Sequence, residues 1–184
     1  LFPELNNLFR RRKHYASGNG ADVFDSPEAL AINRARLECL AGLGLNLTGR
    51  RVLDAGCGVG HHSRFYLERG CSVVCVDGRK ENIIELRRRH PDMEAHVVDV
   101  EDGDLASFGQ FNVVHCFGLL YHLENPLAGL RNLASVCSEL MVLETIICDH
   151  PTPLVRYEIE SRSAHQALKG LGCRPTPSFV EMAL

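Results

Sequence analysis

Three glycines at alternate positions, Gly56-Cys57-Gly58-Val59-Gly60, and the carboxylates that frame them are the residues best suited to chemistry. Glycine enters φ > 0 at little cost and lets a ligand approach the main chain. Asp54 precedes the loop by two residues, and Asp77 lies 17 residues beyond Gly60, at the end of an apolar run. The residues after Gly60 read as a helix, whose free N–H groups and positive dipole end would face whatever lies over the loop. A carboxylate closing the next strand can accept hydrogen bonds from both ribose hydroxyls of an adenosine. The chemistry is recognition of a nucleotide-like ligand. The dinucleotide fingerprint needs its third glycine one residue later than Gly60, so this G-x-G-x-G spacing departs from it.

Tyr121 and His122 form a second set, at the exit of a later strand. An imidazole with an ordinary pKa of ~6.5 suits a general base near neutral pH. The alternative is that His122 caps the following helix and Tyr121 only shapes the pocket. His61 and His62, at a helix N-terminus, read as ligand neighbours and not as metal ligands. No residues have metal-ligand spacing, and no Ser/His/Asp or Cys/His set can be assembled.

These side chains need a scaffold, and the pattern supplies one. Asp25-Ser26-Pro27-Glu28 is a helix start, with a capping side chain and proline in the first turn. Leu30, Leu37, Leu40 and Ala41 follow at helical spacing, should pack on the sheet, and end at Gly42 and Gly44. Alternation then predicts strands over 51–55, 72–77, 95–99, 111–117 and 140–147, with helices over 61–69, 79–90 and 125–138. Ile83, Ile84 and Leu86 should face inward on the second of these helices, with Arg87-Arg88-Arg89 in water. Leu127, Leu130, Leu133, Ala134 and Cys137 should form the inner face of the third. Nearly all-apolar strands alternating with helices mean an α/β fold with a doubly wound, mostly parallel sheet covered on both faces.

The ends fit this pattern less well. Arg10-Arg11-Arg12-Lys13-His14-Tyr15 is a basic cluster, and residues 1–24 read as an N-terminal arm or lid with Tyr15 folding over the ligand. Beyond 148, residues 154–169 could be helical, Gly170 to Pro177 form a loop, and Ser178 could cap a last helix over 179–184. We expect a further edge strand to follow, so that the C-terminal edge of the sheet lies outside this stretch. A chain starting at Leu1 is likewise expected to continue upstream. The expected organisation is one domain over 25–184, with 149–180 as a substrate-side insertion.

At 184 residues the chain can bury one good core. A 45% hydrophobic, 23% charged composition and a net charge of −3 give no global pull toward nucleic acid or anionic membrane. No apolar run approaches the ~20 residues of a membrane span, and no signal-peptide core is present. Eight cysteines without a C-x-x-C pair read as reduced, buried residues of a cytoplasmic protein.

Val52-Leu53-Asp54-Ala55-Gly56-Cys57-Gly58-Val59-Gly60 resembles the first motif of the class I S-adenosylmethionine-dependent methyltransferases. The resemblance continues through Val74-Cys75-Val76-Asp77, Asp99, Phe111 to Leu123 and the strand after it. It implies S-adenosylmethionine as cofactor, with the loop from Gly56 through Cys57 and Gly58 to Gly60 under its methionine end. Asp54 would order that loop, and Asp77 with Gly78 would hold the ribose. Asp99 and the Val100 backbone would bind the adenine edge, and the Phe117 carbonyl the methionine amino group. Gly118-Leu119-Leu120-Tyr121-His122 and Leu143-Glu144-Thr145 also look like the bacterial enzymes that carboxymethylate tRNA wobble uridine.

The resemblance implies methyl transfer to an O, N or C nucleophile of a small molecule. Tyr121 and His122 would be the catalytic candidates, and Arg156, Glu158 and Glu160 charged residues on the substrate side. An RNA-modifying enzyme, resting on the basic runs 10–13 and 87–89, and a non-catalytic cofactor-binding domain remain as alternatives.

Overall fold

The computed structural model describes residues 20–184. The arm expected over 1–24, including the 10–13 basic cluster and Tyr15, lies outside these residues except for Gly20–Asp25, a 3-10 turn. Five strands form one sheet: β1 (Arg51–Ala55), β2 (Ser72–Asp77), β3 (Glu94–Val97), β4 (Phe111–Phe117) and β5 (Cys137–Glu144). Their order is β3-β2-β1-β4-β5, and every pairing is parallel. The order reverses between β1 and β4, which opens a crevice beyond their carboxyl ends. The glycine loop leaves β1 at that point.

Alternation along each strand builds two cores. Leu53, Val74, Val76, Val114 and Cys116 pack on α4 (Pro126–Ser135) through Leu130 and Leu133. Val52, Val73, Cys75 and Val113 face α2 (Ser63–Leu67) and α3 (Lys80–Arg89), through Phe65, Tyr66, Ile83 and Leu86. The anticipated doubly wound architecture is present.

Several local expectations change. In α1 (Pro27–Gly42) Ser26 caps as anticipated, its Oγ accepting from Ala29 N–H at 3.1 Å. Only Leu40 is buried there, with Leu37 packing partly, whereas Leu30 and Ala41 are exposed. The helix expected over 61–69 shrinks to Ser63–Leu67, because Gly60 turns at φ 91° and His62 has no capping bond. On α3, Ile84 is exposed, since a residue adjacent to the inward Ile83 lies about 100° round the helix. Arg87 and Arg88 are exposed as expected, although Arg87 Nη2 also donates to the Ala95 carbonyl, whereas Arg89 is half-buried and held between Asp25 and Glu85.

β3 ends at Val97, which leaves Asp99 in the turn beyond the strand. Cys137 opens β5 instead of closing α4, and residues 145–147 follow the strand instead of ending it. Asn125 caps α4 with its Oδ1 accepting from Ala128 N–H at 3.2 Å. Asn125→Ala should cost about 1 kcal/mol, read as a lower urea midpoint. Of the eight cysteines, all free, Cys39 is exposed and Cys137 half-buried, against the expectation that they are buried.

The largest correction falls at 154–175. In place of a helix and a loop there is an antiparallel hairpin, β6 (Val155–Ile159) and β7 (Leu171–Pro175). Val155, Tyr157 and Ile159 alternate with charged residues, a period-2 pattern that suits a strand. Gly172 belongs in β7 for a steric reason: a Cβ there would lie 2.2 Å from Oε1 of Glu160 and 2.8 Å from the Tyr121 carbonyl. Thr176, not Ser178, caps α5 (Pro177–Ala183), accepting from Phe179 N–H.

Candidate active site

The C-terminal ends of β1, β2 and β4 open on one cleft with two connected lobes. The first is lined by Gly56, Gly58, Asp77, Gly78, Asp99 and Val100, together with Leu119, Leu123 and Leu168. The second is the larger, about 330 Å³, and is lined by Cys57, Phe117, Tyr121 and His122 with Ile32, Arg36 and Ile146. Ten of the twelve residues anticipated from sequence therefore meet here. Asp54 and Gly60 do not line it.

Asp77 organises the first lobe. Its Oδ2 accepts from Gly58 N–H at 3.0 Å, and its Oδ1 accepts from Arg79 N–H at 2.8 Å and Asn82 Nδ2 at 3.2 Å. Burial pushes its pKa up, opposed by the Arg79 and Gly58 N–H bonds. A carboxylate offers about four acceptor sites, so these three bonds leave room for a ligand donor. Asp99 is engaged from two sides. Its Oδ1 accepts from Glu101 N–H at 3.0 Å, and Lys169 Nζ lies 3.1 Å from Oδ2 while also pairing with Glu101.

The segment 164–169 is strapped across this lobe. Arg79 Nη2 donates to the carbonyls of Gln166 and Ala167, and Asn82 Nδ2 to that of Ala164. Leu168 lies so close over Gly78 that a Cβ there would meet it at 2.7 Å.

Asp54 lies beneath the loop, 1% exposed, and accepts from Ser63 Oγ at 2.5 Å. Burial raises its pKa to about 6, with Asp77 adding to the effect and Ser63 opposing it. Its partner Ser63 opens α2, and the N–H groups of Gly56, Cys57 and Gly58 bond instead to Val76 and Asp77. Gly60 turns the chain at φ 91°, and its missing Cβ faces Leu86 and His90 of the α3 region, not the cleft.

Cys57, Phe117 and the two histidines border the second lobe. His61 Nε2 sits 3.1 Å from Asp25, and His62 Nε2 sits 3.1 Å from Oδ1 of Asn33. Since Asn33 Oδ1 can only accept, His62 Nε2 carries the proton, and its Nδ1 accepts from His115 Nε2 at 3.1 Å. The Tyr66 hydroxyl then donates to His115 Nδ1 at 2.9 Å. Burial lowers the His62 pKa to about 4 and the His115 pKa well below its usual range, so the chain is neutral at physiological pH.

Arg36 gave no signal in the sequence, because only the packing of α1 brings it to the cleft. Its guanidinium lies over Gly118 and pairs with Glu144 at 2.7 Å. Gly118 N–H in turn donates to Glu144 Oε2 at 3.0 Å. Phe24, stacked where a Gly58 Cβ would point, and Asn82, His165, Lys169 and Arg174 were also not anticipated. Glu160 was singled out only as a charged residue near the substrate. Here it pairs with His122, its Oε2 lying 2.5 Å from Nδ1. Arg156 and Glu158 pair with each other on the surface, and Glu158 also meets Arg174.

A model of the family described as "Methyltransferase domain" matches residues 25–174. The chain belongs to this methyltransferase family. The resemblance read from the glycine loop and the strand ends is upheld. Over 111 residues the chain is 34% identical to the ubiquinone biosynthesis O-methyltransferase of Bordetella avium (strain 197N), covering 58% of this chain and 46% of that enzyme. Over 113 residues it is 36% identical to the tRNA U34 carboxymethyltransferase of Alcanivorax borkumensis, covering 56% and 34%. The methyltransferase chain thus spans half or less of the length of these curated relatives.

Among solved structures, the N-terminal domain of EvdMO1 with SAH bound superposes with a TM-score of 0.61 at 24% identity, over 91% of this chain and 70% of that one. The 1,6-didemethyltoxoflavin-N1-methyltransferase of Burkholderia thailandensis, with its substrate and S-adenosylhomocysteine bound, gives 0.59 at 21%, over 90% and 69%. At these identities the likeness speaks for the fold alone. It agrees with the parallel five-stranded sheet and its flanking helices.

Proposed function

We propose that this domain binds S-adenosylmethionine and transfers its methyl group to an O, N or C nucleophile of a small molecule. One observation carries the reading. Among the described residues, three buried side-chain atoms lack a hydrogen-bond partner: Arg36 Nε, Asn82 Oδ1 and His165 Nδ1. All three belong to residues lining the cleft. Buried polar atoms are seldom left unpaired, so such a cluster suits a polar ligand.

The residues fit the group. Asp77, beside Gly78, would hold the ribose hydroxyls, and Val98, Val100, Leu123 and Leu168 form an apolar slot for the adenine beside Asp99. Arg36 offers a cation for the methionine carboxylate, near the Phe117 carbonyl that would accept from the amino group. When bound, the cofactor supplies an electrophilic methyl on a sulfonium with a neutral thioether as leaving group. The chain's own task is then to align an acceptor in the second lobe and exclude water. Tyr121 and His122 are placed for this, and we assign the strap and hairpin within 149–180 to the substrate side. Residues 1–24 would complete an N-terminal lid.

The same fold could serve a nucleic acid, but the 87–89 run offers little to one. Arg89 pairs with Asp25 and Glu85, Arg88 with Glu85, and the exposed Arg87 donates to the Ala95 carbonyl. Among the described residues no helix is long and apolar enough to cross a membrane. We place the domain's work in the cytoplasm, on the strength of its free cysteines.

Calorimetry with S-adenosylhomocysteine tests the reading. Saturable binding is expected, weakened about 10-fold by Arg36→Met through loss of a charged hydrogen-bonding partner. Absence of binding to the unaltered chain would remove the proposal.

A further inference from the structure

The hairpin β6–β7 brings two charged side chains to the cleft: Glu160, just past β6, pairs with His122, and Arg174 of β7 holds Glu160. Nδ1 of His122 lies 2.5 Å from Oε2 of Glu160, and the Glu160 side chain is 6% exposed. Glu160 is itself held in place. Ala167 N–H donates to its Oε2 at 3.1 Å, and Arg174 Nη1 donates to its Oε1 at 3.2 Å. Arg174 Nη1 also donates to the Tyr121 carbonyl at 3.1 Å, which joins the hairpin to the turn carrying His122. Gly172 keeps its backbone bare where the Glu160 carboxylate passes.

A carboxylate so supplied with donors accepts and does not donate, so Nδ1 of His122 carries the ring proton. Nε2 is left with its lone pair. That nitrogen has no hydrogen bond among the described residues, yet it is not among the buried unpartnered atoms, and His122 lines both lobes of the cleft. It opens on the space where an acceptor would stand.

We propose that Glu160 is a positioning residue that fixes His122 as the general base of the transfer, and that the acceptor is a hydroxyl on an apolar body. The proposal rests on the methyl-transfer reading above. A histidine held in one tautomer by a buried carboxylate, with its far nitrogen facing a cavity, is the arrangement that removes a proton from a hydroxyl nucleophile. As the acceptor oxygen bonds to the methyl carbon, the methyl–sulfur bond breaks and its electron pair stays on sulfur. The hydroxyl proton passes to Nε2 of His122. Positive charge thus moves from sulfonium to imidazolium, beside the Glu160 carboxylate, and is discharged when the proton leaves to solvent.

The groups around His122 agree with this. Burial lowers its pKa, Glu160 raises it, and Arg174 and His165 lower it. Tyr121 lies against it, its ring tilted 54° with the centroids 4.2 Å apart. The net direction is downward, so the ring is neutral and basic at physiological pH. Ile32, Ile146 and Phe117 line the same lobe, beside the polar Asn33, Arg36 and His61. A phenol or enol matches such a base better than an alkyl alcohol, whose proton is held far more tightly.

The test begins without any acceptor. NMR of the ligand-free protein should show His122 protonated on Nδ1 at neutral pH. In Glu160→Gln its pKa should fall, because the nearby carboxylate that raises it is gone. Glu160→Asp should return it part of the way. A pKa and tautomer unchanged in both variants would overturn the positioning role, since a purely structural loss would not move them selectively. If Glu160→Gln does not fold, Glu160→Asp, which draws the carboxylate back from Nδ1, takes its place with a fall in the same direction expected.

S-adenosylhomocysteine affinity, read on the same proteins, should stay within about 3-fold of the parent; failure of the parent to bind would sink the methyl-transfer reading while leaving the NMR result standing. The acceptor class is tested with 4-nitrophenol added to the S-adenosylhomocysteine complex. Its absorption should show ionisation at a lower pH than in free solution for the parent and not for Glu160→Gln. No binding, or no displacement of that titration in the parent, overturns the hydroxyl assignment.

Discussion

Asp77→Ala should weaken S-adenosylhomocysteine binding at least about 100-fold in calorimetry. Charged hydrogen bonds to a ligand contribute about 1.5–3 kcal/mol, and that loss alone is about 10–100-fold. The structure adds a second cost. Without the carboxylate, the N–H groups of Gly58 and Arg79 and the amide of Asn82 lose their acceptor together. The glycine loop then keeps only the Gly56 and Cys57 N–H bonds to the Val76 carbonyl at the end of β2, and the ordering of Gly58 must be met by the ligand. Asp77→Asn keeps the shape but turns an amide hydrogen toward one of these donors, so it should rescue only part of the affinity. Binding of Asp77→Ala at the parental strength would sink both the ribose assignment and this account of the loop.

Asp54→Asn should alter the pH dependence of stability by about 3 kcal/mol. The side chain is 1% exposed and its folded pKa is about 6, raised by burial from 3.8. A carboxyl with a raised folded pKa favours the folded state while protonated, and that contribution fades as pH rises through the folded value. The interval between 3.8 and about 6 corresponds to about 3 kcal/mol. The parent therefore loses this stabilisation between about pH 4 and 7, and the asparagine variant does not. His62 and His115 slope the other way. Their folded pKa values are lowered, so their neutral forms favour the fold at high pH and lose that advantage as pH falls. Only the difference between variant and parent isolates Asp54. Urea unfolding across that range should show the variant gaining on the parent as pH rises, and parallel profiles would refute the assignment.

Much of this was readable in the chain. Strongly apolar strands punctuated by glycine carry their own period, so β1, β2 and β4 lie where the alternation put them. The loop after β1 and the carboxylate after β2 are local features of strand ends, and a parallel doubly wound sheet brings all such ends to one edge. That is why Gly56, Gly58, Asp77, Asp99 and Phe117 share a cleft. Boundaries were less legible. Cys137 fits an apolar helix face and an apolar strand equally well, and only its pairing with Phe111 decides for the strand. Residues 155–159 alternate over only five positions, and the hairpin is fixed by contact, through Cys173 Sγ and Arg174 of β7 donating to the carbonyls of Leu120 and Tyr121.

The sequence by itself determined the family, the parallel sheet and the edge at which a nucleotide-like ligand would sit, because those follow from patterns within a few residues of each other. Only the tertiary structure decided what surrounds that ligand. Arg36 comes from a helix before the sheet, 108 positions from its Glu144 partner, and Glu160 reaches His122 across 38. No local rule ties residues so far apart. They meet because the packing of α1 on the sheet and the late hairpin bring residues from either side of the five strands to the edge where the glycine loop lies.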